Sequence, residues 1–282
     1  MKKVLSLITA FTLLMVGNAQ VEIPQPSPFG KFEQKIGLTD VTVEYSRPAK
    51  KERVIFGDLV PYGKMWRTGA NKNTVISFSD DVVVDGQKLK AGKYALFTTP
   101  GKDQWEVIFY SETENWGLPQ KWDDSKVAAK TTVKVHQMPM VMETFTLLID
   151  DLTNNSGTLG ILWDKVYVGV KLEVPTDEKV MGTIGKTMQN DPKWEDYYAA
   201  ATYYFNADKD IKQAKEWIDK AMGMNPKPMF YQLRQQSLIY AKAGDKKGAI
   251  DLAKQSLDAS QKAGNEDYVK MNQESLKEWG SK

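Results

Sequence analysis

The sequence predicts an antiparallel β-sandwich followed by an all-α tail. Three observations carry that prediction. Hydrophobic residues recur with a period of two from Lys31 to Leu172. The runs are short and separated by Gly-, Asp- and Asn-containing turns, with no long helical pattern between them. Beyond Val174-Pro175-Thr176-Asp177 the period changes to that of helices and helix-capping residues take over.

The chain begins with a segment to be set aside from the fold. Lys2 and Lys3 precede an apolar run from Val4 to Val16, and Gly17-Asn18-Ala19 has the small-x-small form of a cleavage site. Residues 1–19 therefore read as a signal peptide, with a mature start at Gln20 and an exported, periplasmic or extracellular protein. The run is too short to span a membrane comfortably. The formal net charge of +2 resides in that leader, which leaves the mature chain near neutrality and without the basic stripe of a nucleic-acid binder. No cysteine is present, so disulfides, thiolate metal sites and cysteine nucleophiles are excluded together. At 282 residues and 41% hydrophobic content, cores alone suffice to hold the fold.

Residues 20–30, with Pro24, Pro26 and Pro28, read as an extended lead-in, because proline offers no ladder donor. The sandwich is expected over 31–174, with about nine strands. Val41, Val43 and Tyr45 alternate with polar neighbours, as in a half-buried strand. Thr74 to Phe78, Gly92 to Thr99, Trp105 to Tyr110, Val127 to Val135 and Thr144 to Ile149 follow. Asp85-Gly86 marks a tight hairpin, and Asp164-Lys165 is expected to join two last strands, Thr158 to Trp163 and Val166 to Leu172.

The helical region is expected over 177–282. Asp191-Pro192 reads as an N-cap with proline at the first helical position. Gly244, Gly264 and Gly280 stand where helices should stop, and Asp245 and Asn265 where they should restart. At an offset of 35, Phe205 maps to Tyr240, Asp210 to Asp245, Ala214 to Ala249 and Ile218 to Ala253. This is similar to the tetratricopeptide pattern, in a looser second copy and with a final helix from Asp267 to Trp279. The helices are expected to lean on the β domain and to offer a surface for a protein partner.

The residues that invite a functional reading lie early. Of 38 basic residues only four are arginine, and Arg47, Arg53 and Arg67 fall within one stretch. Lysine supplies charge, but arginine alone offers a planar fork for two parallel hydrogen bonds. Tyr45-Ser46-Arg47-Pro48, Arg53-x-Ile55-Phe56-Gly57, Trp66-Arg67-Thr68-Gly69-Ala70-Asn71, Gly92-x-Tyr94-x-Leu96 and Trp105 resemble the domain of unknown function 2911 family. The resemblance covers roughly Pro26 to Val174. It implies an exported bacterial β protein and supplies no reaction.

Two readings of the motif follow. In one, it is a self-satisfied loop whose arginines bind carbonyls or carboxylates. In the other, Arg47, Arg53, Trp66, Arg67 and Asn71 form a polar binding site for a small polar or anionic ligand. A non-catalytic binding module is the function favoured. The alternatives are a hydrolase of cell-wall or polysaccharide substrates, using Asp58 or Glu44 as an acid, and a purely structural envelope protein. No cofactor and no metal site is expected: His136 stands alone, and the Asp80-Asp81, Asp123-Asp124 and Asp150-Asp151 pairs lack the spacing of a calcium loop. Ser46 has only His136 as an imidazole partner, and no Gly-x-Ser-x-Gly occurs. Trp105, Trp116, Trp122 and Trp163 are weighed as a sugar-stacking platform against core packing; Trp116 and Trp122, in a Gly/Pro/Asp-rich connection, are the two expected to be exposed.

Overall fold

A computed structural model of the protein describes residues 23–280. The segment read as a signal peptide lies outside the described residues.

Ten strands form two antiparallel sheets. The first six-stranded sheet contains β1 (Phe29–Ile36), β2 (Thr39–Ser46), β3 (Ala70–Phe78), β6 (Gly92–Pro100), β7 (Gln104–Tyr110) and β8 (Val127–Lys134), in that spatial order. The second contains β5 (Gln87–Leu89), β4 (Val82–Val84), β10 (Ser156–Glu173) and β9 (His136–Asp150). The alternation seen in the sequence places Val41, Val43 and Tyr45 of β2 in the core between the sheets. The core continues through Leu96, Trp105, Phe109, Phe145, Leu159, Ile161 and Trp163. Strands β6 and β7 are buried on both faces, because Trp122 and Met65 cover Phe97, Ile108 and Tyr110 from outside.

The turn chemistry accounts for most connections. Asp85 and Gly86 both have positive φ, +46° and +82°, which gives the predicted two-residue hairpin between β4 and β5. Asp164-Lys165 behaves differently. Only Asp164 has positive φ, and the two expected strands are one bent strand, β10, with register shifts on either side of Asp164. A single left-handed residue makes a bulge; a reversal of this type needs two.

The chain itself bridges the two sheets on both sides of the sandwich. Beyond Ser46, residues 48–50 cross to the free edge of β9: Phe145 N donates to Pro48 O at 2.9 Å, and Lys50 N to Glu143 O at 2.6 Å. The Tyr45 hydroxyl accepts from Leu147 N at 3.1 Å and lies 3.3 Å from Leu147 O. On the opposite side the Gln87 amide donates to Lys130 O and accepts from Lys130 N, capping the edge of β8. Unpaired strand edges are templates for aggregation, and these contacts cover part of the β8 and β9 edges.

Six helices follow: α1 (Thr176–Thr187), α2 (Trp194–Asn206), α3 (Ile211–Met224), α4 (Phe230–Lys242), α5 (Lys246–Lys262) and α6 (Glu266–Glu278). Pairs α2/α3 and α4/α5 are hairpins with corresponding caps: Asp210 accepts from Lys212 N, and Asp245 from Gly248 N. Gly244, Gly264 and Gly280 have positive φ at the predicted helix ends. The expected cap at Asp191 does not form. Asp191 has φ +48°, α2 starts at Trp194, and the Asp196 carboxylate accepts from Lys193 N at 2.9 Å. A carboxylate inside the first turn thus replaces one before it. Contacts between the sandwich and the helices run through α1, where Leu38 N donates to Thr176 Oγ1 at 3.3 Å and Lys179 Nζ reaches Asp80 at 2.7 Å.

Candidate functional site

The segment Met65–Asn71 is built as an extra rung on the six-stranded sheet. Strand β6 pairs with β3 only as far as Ala95. Farther on, Trp66 takes that place: its N–H donates to Thr98 O at 2.7 Å and its carbonyl accepts from Thr98 N at 2.9 Å. The chain must then turn sharply to enter β3. Thr68, Gly69 and Asn71 do so with φ of +54°, +143° and +59°. Gly69 has no room for a side chain, since a Cβ would sit 2.9 Å from Thr74 Oγ1 and 3.1 Å from Ser46 O.

Most polar groups of the segment are consumed in holding this turn. Thr68 Oγ1 meets Thr98 Oγ1 at 3.0 Å, and Thr74 Oγ1 donates to Thr68 O. Asn71 Nδ2 donates to Ser46 Oγ at 3.2 Å and Ser27 O at 3.3 Å. Trp66 Nε1 donates to Gly69 O at 3.2 Å. Asn71 is therefore a positioning residue of the loop.

The three arginines separate. Arg47 points to β9, donating through Nε to Phe145 O at 3.3 Å and through Nη2 to Thr146 Oγ1 at 2.9 Å. Its guanidinium fastens one sheet to the other. Arg53 folds back on its own turn, donating to Lys50 O at 3.1 Å and to Ala49 O. Both use the planar fork, with backbone carbonyls among the acceptors. Arg67 has no hydrogen-bond or carboxylate partner among the described residues, although it is only partly exposed.

Arg67 and Arg53 share one cleft of about 430 Å³ with Lys51, Trp66 and Trp163. No carboxylate stands among its lining residues. Glu143, beside the cleft-lining Lys51, is turned onto the backbone, accepting from Lys51 N at 2.6 Å. The floor is aromatic: Trp66 and Trp163 stack at 5.8 Å between ring centroids and 18° between planes. Phe145 abuts Trp66 edge-on at 5.1 Å, and Phe56 abuts Trp105 at 4.9 Å. Three cations beside an aromatic floor, with no carboxylate among the lining residues, can hold an anion; Lys51 and Arg53 are exposed and screened by solvent, and the partly buried Arg67 less so.

Lys51 escaped the sequence reading, and Trp163 is weighed there only with other tryptophans, not with the arginine motif. Lys51 lies between Arg47 and Arg53, so the same basic cluster contained its signal. Trp163 comes from β10, and nothing in its local sequence links it to the motif.

The remaining candidates lie apart from the cleft. Glu44 is in register with Lys31, on the outer face of the six-stranded sheet, and Asp58 occupies an exposed turn. Neither lines the cleft. His136 is exposed at the start of β9, with its ring 6.1 Å from that of Tyr167, and Ser46 Oγ is engaged by Asn71. Among the described residues no three His, Asp or Glu converge as metal ligands. Trp122 is not free: it stacks on Tyr110 at 4.4 Å and donates to Asp124 at 2.8 Å. Trp105 and Trp163 are core, and Trp116 stays 70% exposed. No helix among the described residues is long and apolar enough to cross a membrane.

No curated protein matches the chain, and no solved structure does. Residues 27–172 match the family described as Protein of unknown function (DUF2911), whose span takes in the whole cleft-forming motif and both sheets up to β10. By that match the chain belongs to the DUF2911 family.

Proposed function

We propose that this is an exported binding module whose cleft over the Trp66–Trp163 pair receives an anionic ligand. The observation that carries the reading is the combination of Lys51, Arg53 and Arg67 in one cleft with no lining carboxylate. Arg53 is already held by backbone carbonyls, so it is pre-organised, and Arg67 keeps its donors for a ligand. Export rests on the basic start, the apolar run and the Gly17-Asn18-Ala19 site. The helical tail, with its repeated hairpins, is the part available to a protein partner.

Calorimetric titration of the mature chain with citrate, a small tricarboxylate, tests the cleft. Binding is expected to weaken as salt rises. It should be lost in Arg67→Gln and kept in Arg47→Gln, which touches only the sandwich edge. Absence of binding, or equal affinity in Arg67→Gln, overturns the reading. Mass spectrometry of the periplasmic and cell-free fractions for a chain starting at Gln20 tests export.

A further inference from the structure

A second cavity of about 300 Å³ adjoins the cleft, and the two share Ser27 as a lining residue. It is lined by Phe29, Lys72 and Trp116 among others, and by no carboxylate. Trp116 and Phe29 are 70% and 67% exposed there. The loop that carries Trp116 is fixed from both sides. Asn73 N donates to Asn115 O at 3.3 Å, and in the orientation its neighbours require the Asn73 amide donates to Asn115 O and Gly117 O, each at 2.7 Å. Gly117 lies against Arg67, so close that a Cβ there would stand 3.0 Å from Nη1. An indole left in water on a pinned loop, one residue from the free guanidinium's wall, is a contact surface held ready at a hydrophobic cost.

We infer that the ligand is a carboxylated oligosaccharide, its acid group on Arg67 and a neighbouring sugar ring on the face of Trp116. This rests on the anionic reading of the cleft above. The electron-rich indole face of Trp116, 70% exposed, attracts the polarised C–H groups of a pyranose. Lys72 at the second cavity and Lys51 and Arg53 at the first suit an acid on successive residues. An acidic peptide fits less well. A peptide that binds by joining a strand edge has no free edge at this point. The β9 edge beside the cleft is already occupied by residues 48–50, and Asn71 and Asn73 are spent on protein partners.

The test titrates the full mature chain with trimers of galacturonate and mannuronate, with neutral trigalactose, with triglutamate and with citrate. At least one uronate trimer is expected to bind tenfold or more tightly than trigalactose and triglutamate. Trp116→Ala, a surface change whose melting temperature should match wild type, is expected to lose about tenfold in uronate affinity while citrate binding is unchanged. Equal or tighter binding of triglutamate, or no effect of Trp116→Ala, overturns the sugar assignment and leaves the anion cleft standing. Loss of citrate binding to wild type overturns both.

Discussion

Trp66 and Trp163 lie stacked, 5.8 Å between centroids and 18° from parallel, although 97 positions separate them in the chain. The first is pinned by its two backbone bonds to Thr98, the second by its place in β10. Trp163 is 2% exposed, and its Nε1 donates to Glu143 O at 3.3 Å. The pair is both core and cleft floor, so stability and the proposed binding should be coupled through it. Trp163→Ala is expected to cost about 3–5 kcal/mol by cavity formation, measured by urea unfolding, and to abolish ligand binding in the cleft. A loss below about 1 kcal/mol would show that the floor is not packed as described.

Tyr45→Phe isolates the seal on the β9 edge. Its hydroxyl serves both the N–H and the carbonyl of Leu147, in a buried setting with the ring edge-on to Phe145 at 5.8 Å. Removing one oxygen leaves two backbone groups unpaired, at about 1–3 kcal/mol. Denaturant midpoints report the cost; an unchanged midpoint would mean that water replaces the hydroxyl freely.

Gly69→Ala is expected to lose more than about 1 kcal/mol and to displace the Trp66 ring. Its Cβ would collide with Thr74 and Ser46, in a conformation at φ +143°. Gly63→Ala is the comparison: its φ of +71° lies near the left-handed well that an L residue can reach, and nothing lies within 4 Å of its Cβ, so it should lose less. Near-equal losses in the two variants would show that neither the collision nor the φ of +143° explains the glycine at 69.

The attachment of α1 to the sandwich should depend on acid. Burial pushes the Asp80 carboxyl upward, but hydrogen bonds from Lys179, Thr39 and Ser79 outweigh it and hold the group below the usual carboxylate range. A folded-state value below the unfolded one means that the unfolded chain binds the proton more readily as the pH falls. The stabilisation is therefore present above about pH 3.9 and disappears as the pH drops through the lower folded value. Asp80→Asn should lower the urea midpoint at pH 7, and its gap to wild type should shrink steadily below about pH 4. A gap of constant size down to the acid limit contradicts the assignment.

Much of the architecture is local, and to that extent the sequence by itself determined it. Alternation in β2, the Asp85-Gly86 turn, the caps at Asp210, Asp245 and Asn265 and the glycine stops all depend on neighbours a few residues away. The rarity of arginine singled out one stretch of chain, and the fold then sends its three guanidinium groups to different places. Tertiary structure decided the rest, because a guanidinium has no preferred acceptor until the fold offers one. Arg47 found the free edge of β9, Arg53 found its own turn, and Arg67 was left beside Gly117 facing a cleft. One fork near one sheet edge and another facing an open cleft are the same residue type in sequence. Only the meeting of strands from distant parts of the chain separates a guanidinium that fastens the sheets from one left facing a cleft.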